Sequence, residues 1–251
     1  MTKSRNARLG LRPLTARSVM LSVLLGTNPP RLPVAKLVAV AELFGITEGA
    51  ARTALSRMVT AGDVTLENGR YRLSTRLVDR QRRQEQSRVD SRVPWSGRWY
   101  LAVVNPASRS AADRSALRQA MTGQRLGEFR EGVWLRPDNL GVRHLPPPIA
   151  EQCTVFVADA PVGVARDALV AQLWDLPAWA SRAEALIDAL HDTDDLAGRF
   201  MVAAATLRHL LEDPLLPDGL CPAGWPASNL RKQFAGFYDD LHAEMKLWLR
   251  N

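Results

Sequence analysis

The segment Phe44-Gly45-Ile46-Thr47-Glu48-Gly49-Ala50-Ala51-Arg52-Thr53-Ala54-Leu55-Ser56-Arg57-Met58-Val59-Thr60 holds a helix end, a turn and a new helix. Gly45 is the residue type best able to close a helix in the left-handed conformation. Thr47 is a good N-cap, and Glu48 sets a carboxylate at the positive end of the helix that follows. Along that helix Ala51, Ala54, Leu55, Met58 and Val59 make one stripe, while Gly49, Arg52, Thr53, Ser56, Arg57 and Thr60 fall on the other. A polar face of arginines and hydroxyls, nearly free of carboxylates, suits the major groove of a duplex.

Upstream, Leu37, Val38, Val40, Ala41, Leu43 and Phe44 predict an apolar-faced helix beginning at Pro33, with small Ala41 at the crossing and Val40, Phe44, Ile46 and Ala51 as the shared core of a helix-turn-helix. Before it, Thr15 precedes a helix marked by Val19, Leu21, Leu24 and Leu25 and ended by Gly26 and Asn28-Pro29-Pro30. Downstream, Val64 and Leu66, then Asn68-Gly69, then Tyr71 and Leu73 form the strongest short hairpin signal a sequence offers. Three helices and a hairpin in this order predict a winged helix. Its Arg70 and Arg72 point away from the Tyr71 and Leu73 side, where a wing meets phosphate backbone or minor groove.

The charge distribution agrees. The chain of 251 residues carries +7 overall, but residues 1–98 hold 18 Lys/Arg against 7 Asp/Glu, whereas residues 99–251 hold 15 against 19. A local block of +11 can neutralise phosphates and release counterions, and solvated surface charge is the alternative that charge alone leaves open. All seven tryptophans lie from Trp95 to Trp248, outside the helix-turn-helix and hairpin, so the DNA-reading block lacks the stacking platforms of single-strand binders, and double-stranded DNA fits better than RNA.

Five segments are expected: a basic arm over 1–13, a winged-helix DNA-binding domain over 14–75, a linker over 76–94, a ferredoxin-like α+β domain over 95–176 and a helical C-terminal domain over 177–251. The linker holds Arg76, Arg80, Arg82, Arg83, Arg88 and Arg92, a solvated helix or a phosphate-contacting extension. In the central domain, strands are expected at Trp99–Val104, Gly132–Leu135 and Thr154–Ala158, with helices at Ala111–Met121 and Val164–Leu173. A proline-rich turn follows the second strand, and no further edge strand is evident. Beyond Pro177, helices are expected over Trp179–Leu190, Leu196–Leu211 and about Leu230–Leu249.

Signals of chemistry are few. His144, His191, His209 and His242 stand outside metalloprotease or zinc spacing, and no phosphate-binding glycine motif or nucleophile elbow is present. His191 lies near Asp188, Asp192, Asp194 and Asp195, a pattern that solvation of a helix end explains as well as a metal does. Cys153 and Cys221 lack metal or disulfide spacing and read as buried free thiols. The reading is a protein that is not an enzyme, with no catalytic residue, metal or cofactor. Nothing approaches the roughly 20 apolar residues of a membrane span, so a cytoplasmic protein with no membrane partner is expected. Trp134, Arg136, Trp174 and Trp179 are candidates for an effector pocket, offering stacking to an acyl or adenine group and charge to a phosphate; tryptophans at such positions more often fill cores or interfaces.

Several spaced words resemble the PaaX-type repressors of phenylacetate catabolism over nearly the whole chain. They are Leu14-Thr15-Ala16-Arg17-Ser18, Phe44-Gly45-Ile46 with Arg52-Thr53-Ala54-Leu55-Ser56-Arg57-Met58, and Trp95-Ser96-Gly97-Arg98-Trp99. Further on come Leu173-Trp174-Asp175-Leu176 with Trp179, Asp213-Pro214 with Leu216-Pro217, Trp225-Pro226 and Phe237-Tyr238. The resemblance implies a winged-helix domain, a Cas2-like ferredoxin domain that builds a homodimer, a helical C-terminal domain, and repression relieved by an acyl-CoA thioester such as phenylacetyl-CoA. It carries DNA reading onto Arg52, Thr53, Ser56 and Arg57, beside which Thr47, Gly49, Arg70 and Arg72 complete the expected DNA-binding set. The sequence departs from the pattern at Cys221, where a bulkier apolar residue is expected, and in its short wing. A winged-helix protein-interaction scaffold is the alternative reading. A Cas2-like metal-dependent nuclease is a further one, disfavoured because the first central strand ends at Asn105, a weaker ligand for a hard cation than a carboxylate.

Overall fold

The Thr15 hydroxyl accepts a hydrogen bond from the Ser18 amide while the Thr15 amide donates to the Ser18 hydroxyl oxygen, a capping box that starts α1 (Ala16–Leu25). The computed structural model describes residues 9, 11, 14–79, 90–106, 109–141, 145–160 and 162–250. The first unit holds residues 1–88, 184–208 and 229–251; the second holds 89–183 and 209–228.

In the first unit, α1 is followed by β1 (Arg31–Pro33), α2 (Val34–Leu43), α3 (Glu48–Thr60), β2 (Val64–Glu67) and β3 (Arg70–Leu73). The three helices and the hairpin form the expected winged helix. Its core joins Met20 and Leu24 of α1, Leu37 and Ala41 of α2, Ala51, Leu55 and Met58 of α3, and Tyr71 and Leu73 of β3. Burying these side chains stabilises the unit at roughly 1.5–3 kcal/mol for each large aliphatic group. Gly45, at φ 70°, takes the left-handed turn between α2 and α3. Asn68 and Gly69, at φ 50° and 71°, have the two positive φ values that a tight primed hairpin turn requires.

The structure adds and corrects details here. Strand β1 was not expected; it pairs antiparallel with β3, Leu32 opposite Tyr71, making the sheet three-stranded in the order β1-β3-β2. Val59, assigned to the apolar stripe of α3, is 41% exposed, because the helix core is closed by residues spaced at i, i+4 and i+7. Leu66 alternates as expected yet is 53% exposed on the wing. Phe44 does not complete the helix-turn-helix core; its ring packs edge-on against Phe200 with centroids 4.9 Å apart.

The second unit contains β4 (Trp99–Val104), α4 (Ala111–Gly123), β5 (Gly127–Arg130), β6 (Val133–Pro137), α5 (Pro147–Gln152), β7 (Cys153–Ala158) and α6 (Arg166–Leu173). The order β5-β6-β4-β7, with every neighbouring pair antiparallel, is the ferredoxin-like βαββαβ sheet. Three features of its topology differ from the sequence reading. Strand β5 was missed, the proline-rich turn contains α5, and β7 is itself the closing edge strand, so the helix at 166–173 follows the fold instead of crossing it. Alternation divides the sheet into two faces. Tyr100, Ala102 and Trp134 face Leu117 and Met121 of α4 and Ile149 of α5, whereas Trp99 and Leu135 face Leu169 and Leu173 of α6 together with Leu216 and Leu220. The remaining helices are α7 (Leu176–Asp192), α8 (Leu196–Leu211) and α9 (Ala227–Arg250), with a 3-10 turn at Asp218–Leu220. No helix among the described residues is long and apolar enough to cross a membrane.

Candidate nucleic-acid interface

Helix α3 is oriented by its buried stripe. With Ala51, Leu55 and Met58 fully inside, helical spacing turns Gly49, Arg52, Thr53, Ser56, Arg57 and Thr60 outward, and all six are exposed. Thr47 caps the helix, its hydroxyl accepting from the Ala50 amide at 3.3 Å. Thr53 and Thr60 donate their hydroxyls to the carbonyls of Gly49 and Ser56 at 2.8 and 3.2 Å, which leaves their lone pairs and methyl groups toward solvent. Arg52 donates from Nε to Glu48 Oε1 at 2.7 Å. An exposed i,i+4 pair of this kind contributes only about 0.3–0.5 kcal/mol, so it orients the guanidinium without locking it.

The wing supplies a second cationic surface. Tyr71 and Leu73 are buried while Arg70 and Arg72 are exposed on the opposite side of β3. The unexpected β1 brings Arg31 directly opposite Arg72 and Pro33 opposite Arg70, so Arg31, Arg70 and Arg72 share one face. Like charges opposite each other across a sheet are destabilising, and an anion against this corner would relieve that repulsion. No local sequence signal marks Arg31, which follows a Pro-Pro breaker and becomes part of the surface only through strand pairing.

A second residue escaped the sequence reading. Asp63, between α3 and β2, is 1% exposed and accepts hydrogen bonds from Arg17 Nε and Nη2 at 2.9 and 2.6 Å and from Arg76 Nη2 at 2.7 Å. This buried carboxylate ties the start of α1 and the chain beyond the wing to the end of α3. Arg76 is therefore engaged within the unit. Arg92 is engaged in the other unit by Asp90, Asp218 and the Leu216 carbonyl, and its pKa is raised, above all by the hydrogen bonds it donates to Asp90. Arg80, Arg82, Arg83 and Arg88 of the expected linker, most of the arm over 1–13, and His144 lie outside the described residues.

The four effector candidates are divided by the sheet of the second unit. Trp134 belongs to the face covered by α4 and α5, with the Arg118 guanidinium 5.2 Å from its ring centre. Arg136 is buried beside it over Tyr100 at 4.9 Å, donating to the Pro137 carbonyl. Trp174 packs on the opposite face. Trp179 is stacked between His209 and Trp225, at 4.3 and 4.6 Å, and exchanges hydrogen bonds with His209. The structure does not bring these four together.

Among the described residues no group of three or more His, Cys, Asp or Glu is arranged to hold a metal ion. Asp195, near His191, caps α8 by accepting from the Gly198 amide at 2.8 Å. Asn105, at the end of β4, accepts from the Thr154 hydroxyl at 2.8 Å through its side chain and from Arg109 through its carbonyl. Burial raises the pKa of the Cys153 thiol and pushes that of Cys221 up to about 11; both cysteines are free. The Cys221 thiol packs against the α6 face and donates weakly to the Leu216 carbonyl.

Comparison with known proteins accords with this architecture. Residues 15–77 match the family model described as PaaX-like protein, and residues 92–170 match that of the PaaX protein central Cas2-like domain. A solved structure, the uncharacterized protein Rv0674 from Mycobacterium tuberculosis, is 41% identical, with a TM-score of 0.77 over 95% of this chain and 100% of that one. No curated protein matches the chain. Two consecutive family matches, with a whole-length structural relative well above 30% identity, show that the chain belongs to the PaaX family.

Proposed function

We propose that this member of a regulator family is a sequence-specific double-stranded DNA-binding repressor that works as a homodimer and is released by a small-molecule effector. The observation that carries the reading is the exposed face of α3, with Arg52, Thr53, Ser56 and Arg57 in line, on the same unit as a wing corner of three arginines. Arg52 and Arg57 have the length and fork geometry to read guanine edges, Thr53 and Ser56 add shorter polar contacts, and Thr47 and Gly49 let the helix start approach the backbone closely. Arg70 and Arg72 meet phosphates, which fixes register without reading sequence.

Two copies related by a twofold axis would present two such helices to successive major grooves, so the operator is a pseudo-palindrome with half-sites one helical turn or a multiple of it apart. The Cas2-like domain is the proposed dimerisation domain, and an acyl-CoA thioester such as phenylacetyl-CoA is the proposed effector. For release, that ligand must prefer the arrangement that does not fit the operator. Selection from a random duplex library by the purified full chain tests the central step. An enriched inverted repeat is expected, and the Arg52→Ala variant should relax one base position per half-site at about 1–3 kcal/mol. Recovery of no sequence preference would return the winged helix to a protein-docking role.

A further inference from the structure

We propose that the cavity enclosed by α1, the 26–32 segment, α8 and α9 in the first unit is a binding site for an amphipathic organic anion, and that its occupant competes with DNA for Arg70. The binding half of this inference stands on the cavity alone; the competition half rests on the reading of the wing as a phosphate-contacting surface. The cavity measures about 660 Å³, within the range of roughly 300–1,000 Å³ typical of small-molecule sites.

Its lining is divided by chemistry. Leu21 of α1, Phe200 and Leu207 of α8, and Leu241 and Met245 of α9 give an apolar floor. Arg31, Arg70, Arg208 and Lys246 supply four cationic side chains beside Arg17, whose guanidinium is held by the buried Asp63, and no carboxylate is among the described residues that line it. A site with that balance favours an apolar chain carrying an anionic head. The concentration of positive charge, in a concave and partly apolar setting where it is poorly screened, attracts such a head over a neutral one. At one end α1 and α9 meet closely, since a Cβ on Gly26 would lie 2.8 Å from the His242 ring, and that ring in turn packs on Tyr238 at 4.2 Å.

Two of the lining residues connect the cavity to the surface proposed to bind DNA. Arg70 lies on β3 of the wing, opposite Pro33 of β1, so a guanidinium drawn to a ligand head is withdrawn from a phosphate. Phe200 touches Phe44, the residue directly before the Gly45 turn into α3. An occupant is therefore one side chain away from both elements.

Calorimetric titration of the full chain with decanoyl-CoA, decanoate and free CoA tests the site. Decanoyl-CoA is expected to bind at least tenfold more tightly than free CoA. Decanoate equal to the thioester assigns a carboxylate head, and decanoate much weaker assigns a phosphate-bearing one; either supports the site. Lys246→Glu, a change at an exposed position, should weaken binding at least tenfold with unchanged circular dichroism, and Ala204→Trp should fill the cavity and abolish it. Absence of binding by all three probes, CoA binding as tightly as its thioester, or binding untouched by both variants overturns the site.

For the competition, the bound probe should lower affinity for the selected duplex and reduce the slope of log affinity against log salt by about 0.9, one phosphate contact. Arg70→Ala should show the reduced slope already and gain no further reduction from the probe. A probe that binds and leaves duplex affinity unchanged overturns the competition while the site stands. A protein that binds the probe but no duplex refutes the DNA reading and, with it, the competition, and leaves the site supported.

Discussion

Replacing Asp63 by asparagine keeps the side chain's volume and removes its charge at the point where α1, the end of α3 and the chain after the wing converge. The native carboxylate accepts three charge-assisted hydrogen bonds, two from Arg17 and one from Arg76. Hydrogen bonds to charged groups contribute roughly 1.5–3 kcal/mol each when both partners are withdrawn from water. Here the two arginine side chains remain 55% and 70% exposed, so they rehydrate when released and each pair falls toward the surface value of about 0–1 kcal/mol. The buried amide is left with one oxygen facing several N–H donors and an NH₂ group facing another donor, which adds about 1 kcal/mol for an unsatisfied polar group. The expected loss is about 2–3 kcal/mol, a fall of roughly 4–12 °C in the melting temperature for a chain of this size. Scanning calorimetry of the full chain measures it, with Arg17→Met alone and combined with Asp63→Asn. In the double variant the Arg17 change should cost less than it does alone, a coupling of about 0.5–1 kcal/mol or more. A single Asp63→Asn effect below about 0.5 kcal/mol, the range of ordinary surface changes, or strict additivity with Arg17→Met would refute the reasoning.

Further expectations concern other parts of the chain. Gly69→Val forces a β-branched residue into φ 71° and should cost about 1–2 kcal/mol, seen as an equivalent drop in urea stability, whereas Gly49→Ala in α3 should not destabilise. Trp179→Ala removes the middle ring of the stack between His209 and Trp225 and should cost about 3–5 kcal/mol; a folded variant of unchanged melting temperature would show that the ring's role is not packing. Cys221 has its folded pKa raised to about 11 from the ordinary 9 by burial. Its contribution to stability is therefore complete below pH 9 and is lost as pH rises through 11, and Cys221→Ser should flatten that part of the stability profile. In the native protein at pH 7.5, alkylation of Cys221 by iodoacetamide should be slow and should accelerate on unfolding.

The elements that could be read from sequence are those whose own residues determine them. Helices α1 and α3 begin at Thr15 and Thr47, whose hydroxyls cap them as the residue types predict, and Asn68-Gly69 makes its turn by local backbone preference. What escaped depends on partners distant in the chain. Strand β1 is three residues behind a Pro-Pro breaker and exists because Leu32 pairs with Tyr71. Strand β5 starts with Gly127, carries polar Glu128 and Arg130, and contains an irregularity between them, so no alternation announces it. Helix α5 has only six residues, and its prolines, acceptable in a first helical turn, read equally as a loop. In the candidate interface, the outward face of α3 followed from its buried stripe, and Arg70 and Arg72 followed from alternation with Tyr71 and Leu73. Arg31 and Asp63 did not, because their positions are set by contacts 41 and 46 residues away, to Arg72 and Arg17. The effector candidates share stacking and charge chemistry but no local signal that would place them together, and strand alternation sends Trp134 and Arg136 to one face of the sheet while Trp174 packs on the other.

The measurement that tests the central claim most directly is fluorescence anisotropy of the purified chain on its own upstream intergenic duplex and on a random duplex of equal length, at two salt concentrations. The Arg52→Ala/Arg57→Ala double variant is titrated in parallel. The account predicts that the native protein prefers the upstream duplex at both salt concentrations, by at least about a thousandfold as specific sites do, and that the variant loses the preference while keeping salt-dependent binding to both. Equal affinity of the native protein for the two duplexes, or a preference that survives removal of both arginines, would contradict it.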